Sequence, residues 1–356
     1  MSDGTATRRR ALTKTHKRIL GATGSIVVVV LVFAFVLPKI ADYRSVLDVV
    51  RDLDWQDWAL LAGAVVLNLS TFPPPWMAAL PGLGYRDAMA LTQASTALSI
   101  VSPAGAAVGM GASYSMLRSW KFEASAVTLA VAIAGLWNQL ANLAFPVVAL
   151  ALLTLAADED HPALTTAALV GVVVLVIAIT SFALVLSRAE RARRIGDVAA
   201  RLANRALGLV RRGPVGWAGE SFARFRTRAL GLLRRRWHVI TLATLAGHLT
   251  VFVLLLVCLR VTGVSSSEVT TIEAFAAWAL VRILGVLPLT PAGVGIVEVG
   301  LTGALVAFGA PNAEAVAATL LYRALTVLPT LALGLLAAAT WRTHHPGESI
   351  ESESDP

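Results

Sequence analysis

Long apolar runs dominate this 356-residue sequence and limit its possible folds more than any other feature. Hydrophobic residues make up 56% of the chain and charged residues 15%, with a mean hydropathy of +0.71. A soluble domain needs far more polar residues to cover its surface. The sequence therefore predicts an all-α polytopic membrane protein, for which a helix needs about 20 apolar residues to cross the bilayer.

The apolar runs predict about six spanning helices, and the arginines place both termini in the cytoplasm of a plasma (inner) membrane protein. The first run follows the basic tail of residues 1–18; no small-x-small cleavage site follows it, so we expect an uncleaved anchor rather than a signal peptide. Residues 45–58 predict an amphipathic helix on the outer surface, ending at the interfacial Trp55 and Trp58. The predicted spans are Ile19–Leu37, Ala59–Leu80, Glu123–Ala157, Leu164–Leu186, Val239–Leu259 and Ala313–Ala339.

An arginine-rich segment, residues 187–237, separates a first membrane half, residues 19–186, from a second, residues 238–341. Its charge predicts a cytoplasmic segment, and apolar residues at helical spacing from Ile195 predict an amphipathic helix. The segment either is a solvated topology determinant or contacts lipid headgroups. Nucleic-acid binding is not expected, because no reading motif accompanies the charge. Residues 342–356 predict a disordered cytoplasmic tail.

Two apolar segments, residues 86–118 and 272–308, each contain a hydroxyl residue followed by Pro-Ala-Gly. Ser102, Pro103 and Gly105 mark this break in the first segment, and Thr290, Pro291, Gly293 and Gly295 mark it in the second. Each arm of the first segment, roughly 16 residues, reaches about 24 Å, short of the roughly 30 Å hydrocarbon core. We therefore expect two re-entrant hairpins; two pairs of Pro-kinked spanning helices are the alternative.

The two hairpins are related in sequence, since "ASAV" from Ala124 parallels "AEAV" from Ala313 after the respective breaks. On the predicted topology the first hairpin enters from the cytoplasm and the second from outside, which is an inverted repeat. Transporters of this kind place broken helices and freed backbone groups around substrate near the midplane.

Three charged residues lie in or beside the second hairpin: Arg282, Glu298 and Arg323. An ionisable residue at this depth costs about 2.5 to 3.5 kcal/mol on insertion scales, so a partner or water is expected. We predict a buried pair between Glu298 and either Arg323 or Arg282. Such a pair serves equally well as a structural staple or as part of a substrate path.

Asn138, Gln139 and Asn142 form a polar stripe on the long helix of the first half. Helix–helix hydrogen bonding is the favoured role, and lipid headgroup contact is the alternative. Arg118 and Lys121 are expected to anchor the cytoplasmic interface by snorkelling. No Walker loop, catalytic triad order or Cys/His metal spacing is found, so neither a metal nor another cofactor is expected.

"LTPAGVGIVEVG" and the later "LLYRALTVLP" resemble the signature of the lysylphosphatidylglycerol synthase transmembrane family, also called flippase-like integral membrane proteins. The positions matching its second motif are Thr290, Pro291, Gly293, Gly295, Glu298, Tyr322 and Arg323. Ser102, Pro103 and Gly105 match the first motif, but Ala104, Ala106 and Ala107 stand where the family commonly carries charged residues, and Ala292 replaces a usual glycine.

The resemblance implies a flippase-like transporter, not an enzyme, that moves an anionic or sugar-bearing lipid between leaflets. No soluble aminoacyl-transferase domain follows Trp341, so lysyl transfer is not expected. The expected partners are membrane lipids and an enzyme of lipid or cell-envelope synthesis. One alternative is a non-transporting scaffold for a glycosyltransferase or lipid synthase. Another is an enzyme acting on polyprenyl phosphate, for which only Glu298 and Glu273 are available as acids near the second hairpin.

Overall fold

The computed structural model describes residues 43–102, 105–156, 162–188, 219–286 and 293–340, with isolated positions between 190 and 204. These residues are helical and contain no strand, which confirms the predicted all-α class. The helices are α1 (Tyr43–Arg51), α2 (Trp55–Ser70), α3 (Pro73–Ala79), α4 (Tyr85–Ile100), α5 (Gly105–Ser119), α6 (Ala124–Ala156), α7 (Pro162–Ser187), α8 (Gly219–Val261), α9 (Thr271–Val286), α10 (Ile296–Ala307) and α11 (Asn312–Thr340).

Four of the described helices, α6, α7, α8 and α11, are long and apolar enough to cross a membrane. Most of α7 is exposed, including Val170 and Ile177, as expected of a helix whose neighbours are lipid chains. The chain is therefore a membrane protein with transmembrane helices. The predicted span Ile19–Leu37 lies outside the described residues.

The predicted span Ala59–Leu80 is interrupted at its three prolines, as the sequence indicates. Helix α2 ends at Ser70 and α3 begins at Pro73, because three consecutive prolines lack the N–H groups that would continue the hydrogen bonds of α2. The predicted surface helix over residues 45–58 does not continue to residue 58, since α1 ends at Arg51. Asp54 accepts hydrogen bonds from the N–H groups of Gln56 and Asp57, at 2.8 and 2.9 Å, and so begins a new helix there.

Helix α8 continues without a break through the predicted segment boundary at residue 237. Arginine is a good helix former, so the fall in hydropathy before the span does not end the helix. Arg226, near the start of α8, donates to the last carbonyls of α7: Nε to Leu186 at 2.7 Å and a terminal nitrogen to Ser187 at 2.9 Å. These bonds satisfy carbonyls that an α-helix leaves unpaired at its C-terminus. Most of residues 189–218, including Ile195, lie outside the described residues.

The segment of each predicted hairpin contains two short helices, α4 and α5 in the first and α9 and α10 in the second, and their re-entrant course stays a prediction. Each is followed by a long helix with an internal proline, Pro146 in α6 and Pro329 in α11. The second helix of the later segment begins at Ile296, after the chain turns at two glycines.

The turns that join each hairpin to its long helix share one hydrogen-bond pattern. The N–H of Phe122 donates to the carbonyl of Leu117, and the N–H of Ala310 donates to that of Leu305. The residues before these donors, Lys121 and Gly309, have positive φ, as in the Schellman turn that ends many helices. Arg118 donates to the Phe122 carbonyl in the first turn. The two halves thus repeat the same short–short–long arrangement of helices.

The helices group into two compact units that interleave along the chain. One unit holds the described residues up to Ser70, then Ala90–Ser113 and the described residues from Leu249 onward. In it, α10 packs between α9 and α11, and α1 packs on α11. The other unit holds Thr71–Met89 and the described residues of Tyr114–His248, with α6 packed on α7 and α3.

Candidate functional site

The chain enters α10 through two glycines with positive φ. Gly293 and Gly295 have φ values of 66° and 88°, a left-handed conformation that disfavours residues with a Cβ. Gly295 is the N-cap of α10, so the two glycines turn the chain into the helix. Thr290 and Pro291, which precede this turn, lie outside the described residues.

Glu298 caps the N-terminus of α10 with its own side chain. It is the third residue of the helix, and its Oε2 accepts the Gly295 N–H at 2.6 Å. A glutamate at this position commonly reaches back to the N-cap amide, and its negative charge favours the positive end of the helix dipole. The side chain is only 4% exposed, so the carboxylate is removed from solvent.

The second carboxylate oxygen of Glu298 pairs with Arg323 of α11. The distance from Arg323 Nε to Glu298 Oε1 is 2.7 Å, and the arginine side chain is 17% exposed. Both oxygens of Glu298 therefore have a hydrogen-bond donor. Of the two predicted partners, the structure selects Arg323. Removing one member of such a buried pair strands the other charge, which is strongly destabilising.

Arg282 of α9 has a different environment. Its guanidinium carbon lies 4.7 Å from the ring centre of Trp278, one turn earlier on the same helix, in a cation–π contact. Trp278 packs in turn on Phe252 and Phe275, with ring centres 5.6 Å away in both cases. Tyr322, which precedes Arg323 on α11, is buried. Of the second motif, the described Glu298 and Arg323 pair between α10 and α11, and Tyr322 lies beside Arg323.

The first hairpin is closely packed near its break. A Cβ on Gly105 would overlap the carbonyl oxygen of Ser99 and lie 2.9 Å from its Oγ, so α5 approaches α4 at van der Waals distance. Gly109 repeats this contact one turn later against the carbonyl of Ser95. Small residues four apart allow such close helix approach in membranes. Ser102 lies in the turn before α5, and Pro103 lies outside the described residues.

Helix α11 contacts both hairpins within the same compact unit. Arg323 of α11 pairs with Glu298 of α10. Three turns later on α11, Gly334 packs against α4 so closely that a Cβ on it would lie 2.7 Å from the Gln93 carbonyl oxygen. Gly334 and Trp278 were not among the predicted site residues. The signal for Trp278 was its spacing of four residues before Arg282 on one helix face; a lone glycine in an apolar run gives no comparable signal.

The polar stripe on α6 makes an internal contact. Asn142 Nδ2 donates to Gln139 Oε1 at 3.3 Å, while Asn138 and Gln139 are exposed. The hydrogen bond that joins α6 to α8 comes instead from the neighbouring Trp137, whose Nε1 donates to Thr241 at 2.9 Å. The contact of the stripe with another helix or a headgroup stays a prediction.

Glu273, one of the two acids that the enzyme alternative would need, caps α9. It accepts the N–H and the hydroxyl of Thr270, both at 2.8 Å. Within the described ranges no three metal-binding side chains lie close enough to hold an ion. A separate groove of about 550 Å³ between α2 and α8 is lined largely by apolar residues such as Trp55, Leu67 and Val257.

The comparison with protein families gives one result. The model of the family described as "Lysylphosphatidylglycerol synthase TM region" matches residues 22–334. This match covers most of the chain, and the chain belongs to that family. No match was found among curated proteins.

Proposed function

We propose that this member of the lysylphosphatidylglycerol synthase TM region family moves an anionic or sugar-bearing lipid between the leaflets of the plasma membrane. The lipid is a phospholipid or a polyprenyl-phosphate-linked sugar, and the protein acts as a transporter rather than an enzyme. The observation that carries this proposal is the Glu298–Arg323 pair, which is buried where α10 begins after a broken segment. Charges at such depth are costly and mark substrate or ion paths in membrane proteins.

The geometry supports a competition mechanism. A lipid phosphate or carboxylate competes with Glu298 for the guanidinium of Arg323, so arrival of the headgroup and opening of the ion pair are coupled. Glu298 keeps its bond to the Gly295 N–H when it leaves Arg323, which lowers the cost of the open state. Arg282 lies on α9, two helices before Arg323 in the chain, and its guanidinium is held over Trp278. It adds a second positive charge to the same cluster. The left-handed glycines allow the backbone to approach the headgroup closely.

We further propose that both termini lie in the cytoplasm. Arg234, Arg235 and Arg236 are exposed on α8 directly before its apolar span, and exposed Trp237 follows them. Arginines flanking a span favour the cytoplasmic side, and tryptophan favours the interface. Helix α8 would then run outward and α11 inward. With no nucleotide-binding motif in the sequence, transport would be passive or driven by an ion gradient or the membrane potential.

A leaflet-resolved assay in proteoliposomes tests the proposal. Labelled phosphatidylglycerol, phosphatidylethanolamine and a polyprenyl-phosphate sugar are incorporated, and a membrane-impermeant quencher reports the fraction in the outer leaflet over time. We expect the protein to accelerate exchange of at least one anionic or sugar-bearing lipid over protein-free vesicles. Equal rates with and without protein for every lipid would refute the proposal. Co-purification of a lipid-synthesis enzyme in that case would favour the scaffold alternative.

A further inference from the structure

Two threonines beside the ion pair have buried hydroxyls without a partner. Thr302 of α10 and Thr319 of α11 are both 0% exposed, and within the described part of the chain neither Oγ1 has a hydrogen-bond partner. Other threonines of α11 behave differently: Thr326 donates to the Tyr322 carbonyl at 2.9 Å and Thr330 to the Thr326 carbonyl at 3.0 Å. The unpaired hydroxyls are therefore particular to this place.

The register of the two helices brings the hydroxyls to the same level. Helices α10 and α11 are consecutive, joined by a short turn after Ala307, and pack on each other as an antiparallel pair. Glu298 opposite Arg323 fixes their register. Thr302 lies four residues after Glu298, and Thr319 lies four residues before Arg323. Residues four apart lie on one face of a helix, so both threonines face the α10–α11 interface one turn from the ion pair.

We propose that Thr302 and Thr319 together bind one buried water molecule. Buried hydroxyls nearly always find a partner, and a buried water typically makes two to four hydrogen bonds to such groups. Each hydroxyl can donate and accept, so one water satisfies both. Carbonyl oxygens of the same helices, which have a second lone pair, supply its remaining contacts.

The charges around the site select water over an ion. Both oxygens of Glu298 already accept hydrogen bonds, one from Gly295 and one from Arg323. The positive guanidinium of Arg323 one turn away opposes a cation, and the carboxylate opposes an anion. Complete burial of both threonines excludes a larger ligand. If the proposed transport mechanism holds, this water lies one helical turn from the pair when it opens.

A double-mutant cycle of thermal midpoints tests the water site without measuring transport. Valine has the shape of threonine but no hydroxyl, so Thr302→Val and Thr319→Val each remove one partner of the water. We expect each single variant to lower the midpoint by roughly 2–4 °C, within the usual range for one lost polar contact. The double variant should fall by clearly less than the sum, because one water is lost only once. Thr330→Val is the matched control: its hydroxyl bonds its own helix, so its effect should add to that of Thr302→Val.

If no water lies between the two hydroxyls, the expected change in thermal midpoint has the opposite sign. Valine at a hydroxyl that has no partner leaves the midpoint unchanged or raises it, because an unsatisfied polar group has been removed. That result, or additive losses in the double variant, would overturn the proposal. A density map of the protein in nanodiscs that resolves ordered water provides the second measurement. It should show a peak within hydrogen-bond distance of both Oγ1 atoms, and its absence at a resolution that shows other buried waters would count against the site.

Discussion

Loss of Arg323 should destabilise this protein far more than loss of an exposed arginine. At the 2.7 Å separation of Arg323 Nε and Glu298 Oε1, the gross attraction is about 6 kcal/mol for an effective dielectric constant of about 20. Desolvation offsets much of that attraction in the intact pair. In Arg323→Ala, however, the carboxylate of Glu298, which is only 4% exposed in the wild type, loses its hydrogen-bonded counter-charge. We expect a loss of about 3–5 kcal/mol in the free energy of unfolding.

The exposed pair between Arg228 and Glu123 is the matched control. Its separation is 3.3 Å, but the side chains are 49% and 71% exposed, so Arg228→Ala should cost at most about 1 kcal/mol. Denaturant titration in detergent micelles, followed by helical circular dichroism, measures both variants. The double variant Arg323→Met, Glu298→Gln should recover much of the loss, because no buried charge remains. Equal, small effects of Arg323→Ala and Arg228→Ala would refute the reasoning.

Three further predictions follow from single contacts. Gly105→Ala should lower the thermal midpoint and reduce the free energy of unfolding by about 1–3 kcal/mol, because the added Cβ would overlap the Ser99 carbonyl. A midpoint equal to that of the wild type would contradict this close approach. Gly295→Ala should cost about 1–2 kcal/mol in the same measurement, because φ is 88° there, and a neutral result would argue against the left-handed turn. The Ser265 N–H and hydroxyl lower the pKa of Glu268 below its usual 4.5, so this carboxylate contributes stability that is lost as pH falls through the lowered value. As the pH is lowered below 4.5, the thermal midpoint of Glu268→Gln should fall less steeply than that of the wild type. Parallel curves of midpoint against pH would contradict this prediction.

Local chemistry was sufficient to predict short helices on either side of each Pro-Ala-Gly sequence, because proline and glycine both disfavour a continuous helix. The re-entrant course of these helices stays a prediction. Length and hydropathy likewise predicted α6 and α11, since each run exceeds the thickness of the bilayer. These features depend on residues close together in the sequence.

Long-range packing set the features that the sequence left open. Glu298 is 16 residues from Arg282 and 25 from Arg323, and sequence spacing alone could not choose between them. The choice depends on how α10 packs on α9 and α11, where Gly300 meets Val281 and Leu284. The continuity of α8 was missed for another reason: arginine lowers hydropathy without lowering helix propensity.

The initial rate of lipid exchange in Glu298→Gln proteoliposomes tests the central claim most directly. Glutamine keeps the size of the side chain and an oxygen that can accept the Gly295 N–H, but it removes the charge that competes with a lipid headgroup for Arg323. Compared at equal insertion with Glu123→Gln, the exposed control, the rate should change by about tenfold or more, equivalent to about 1.4 kcal/mol in the barrier. A Glu298→Gln protein that inserts normally and exchanges lipid at the rate of the control and the wild type would contradict the account.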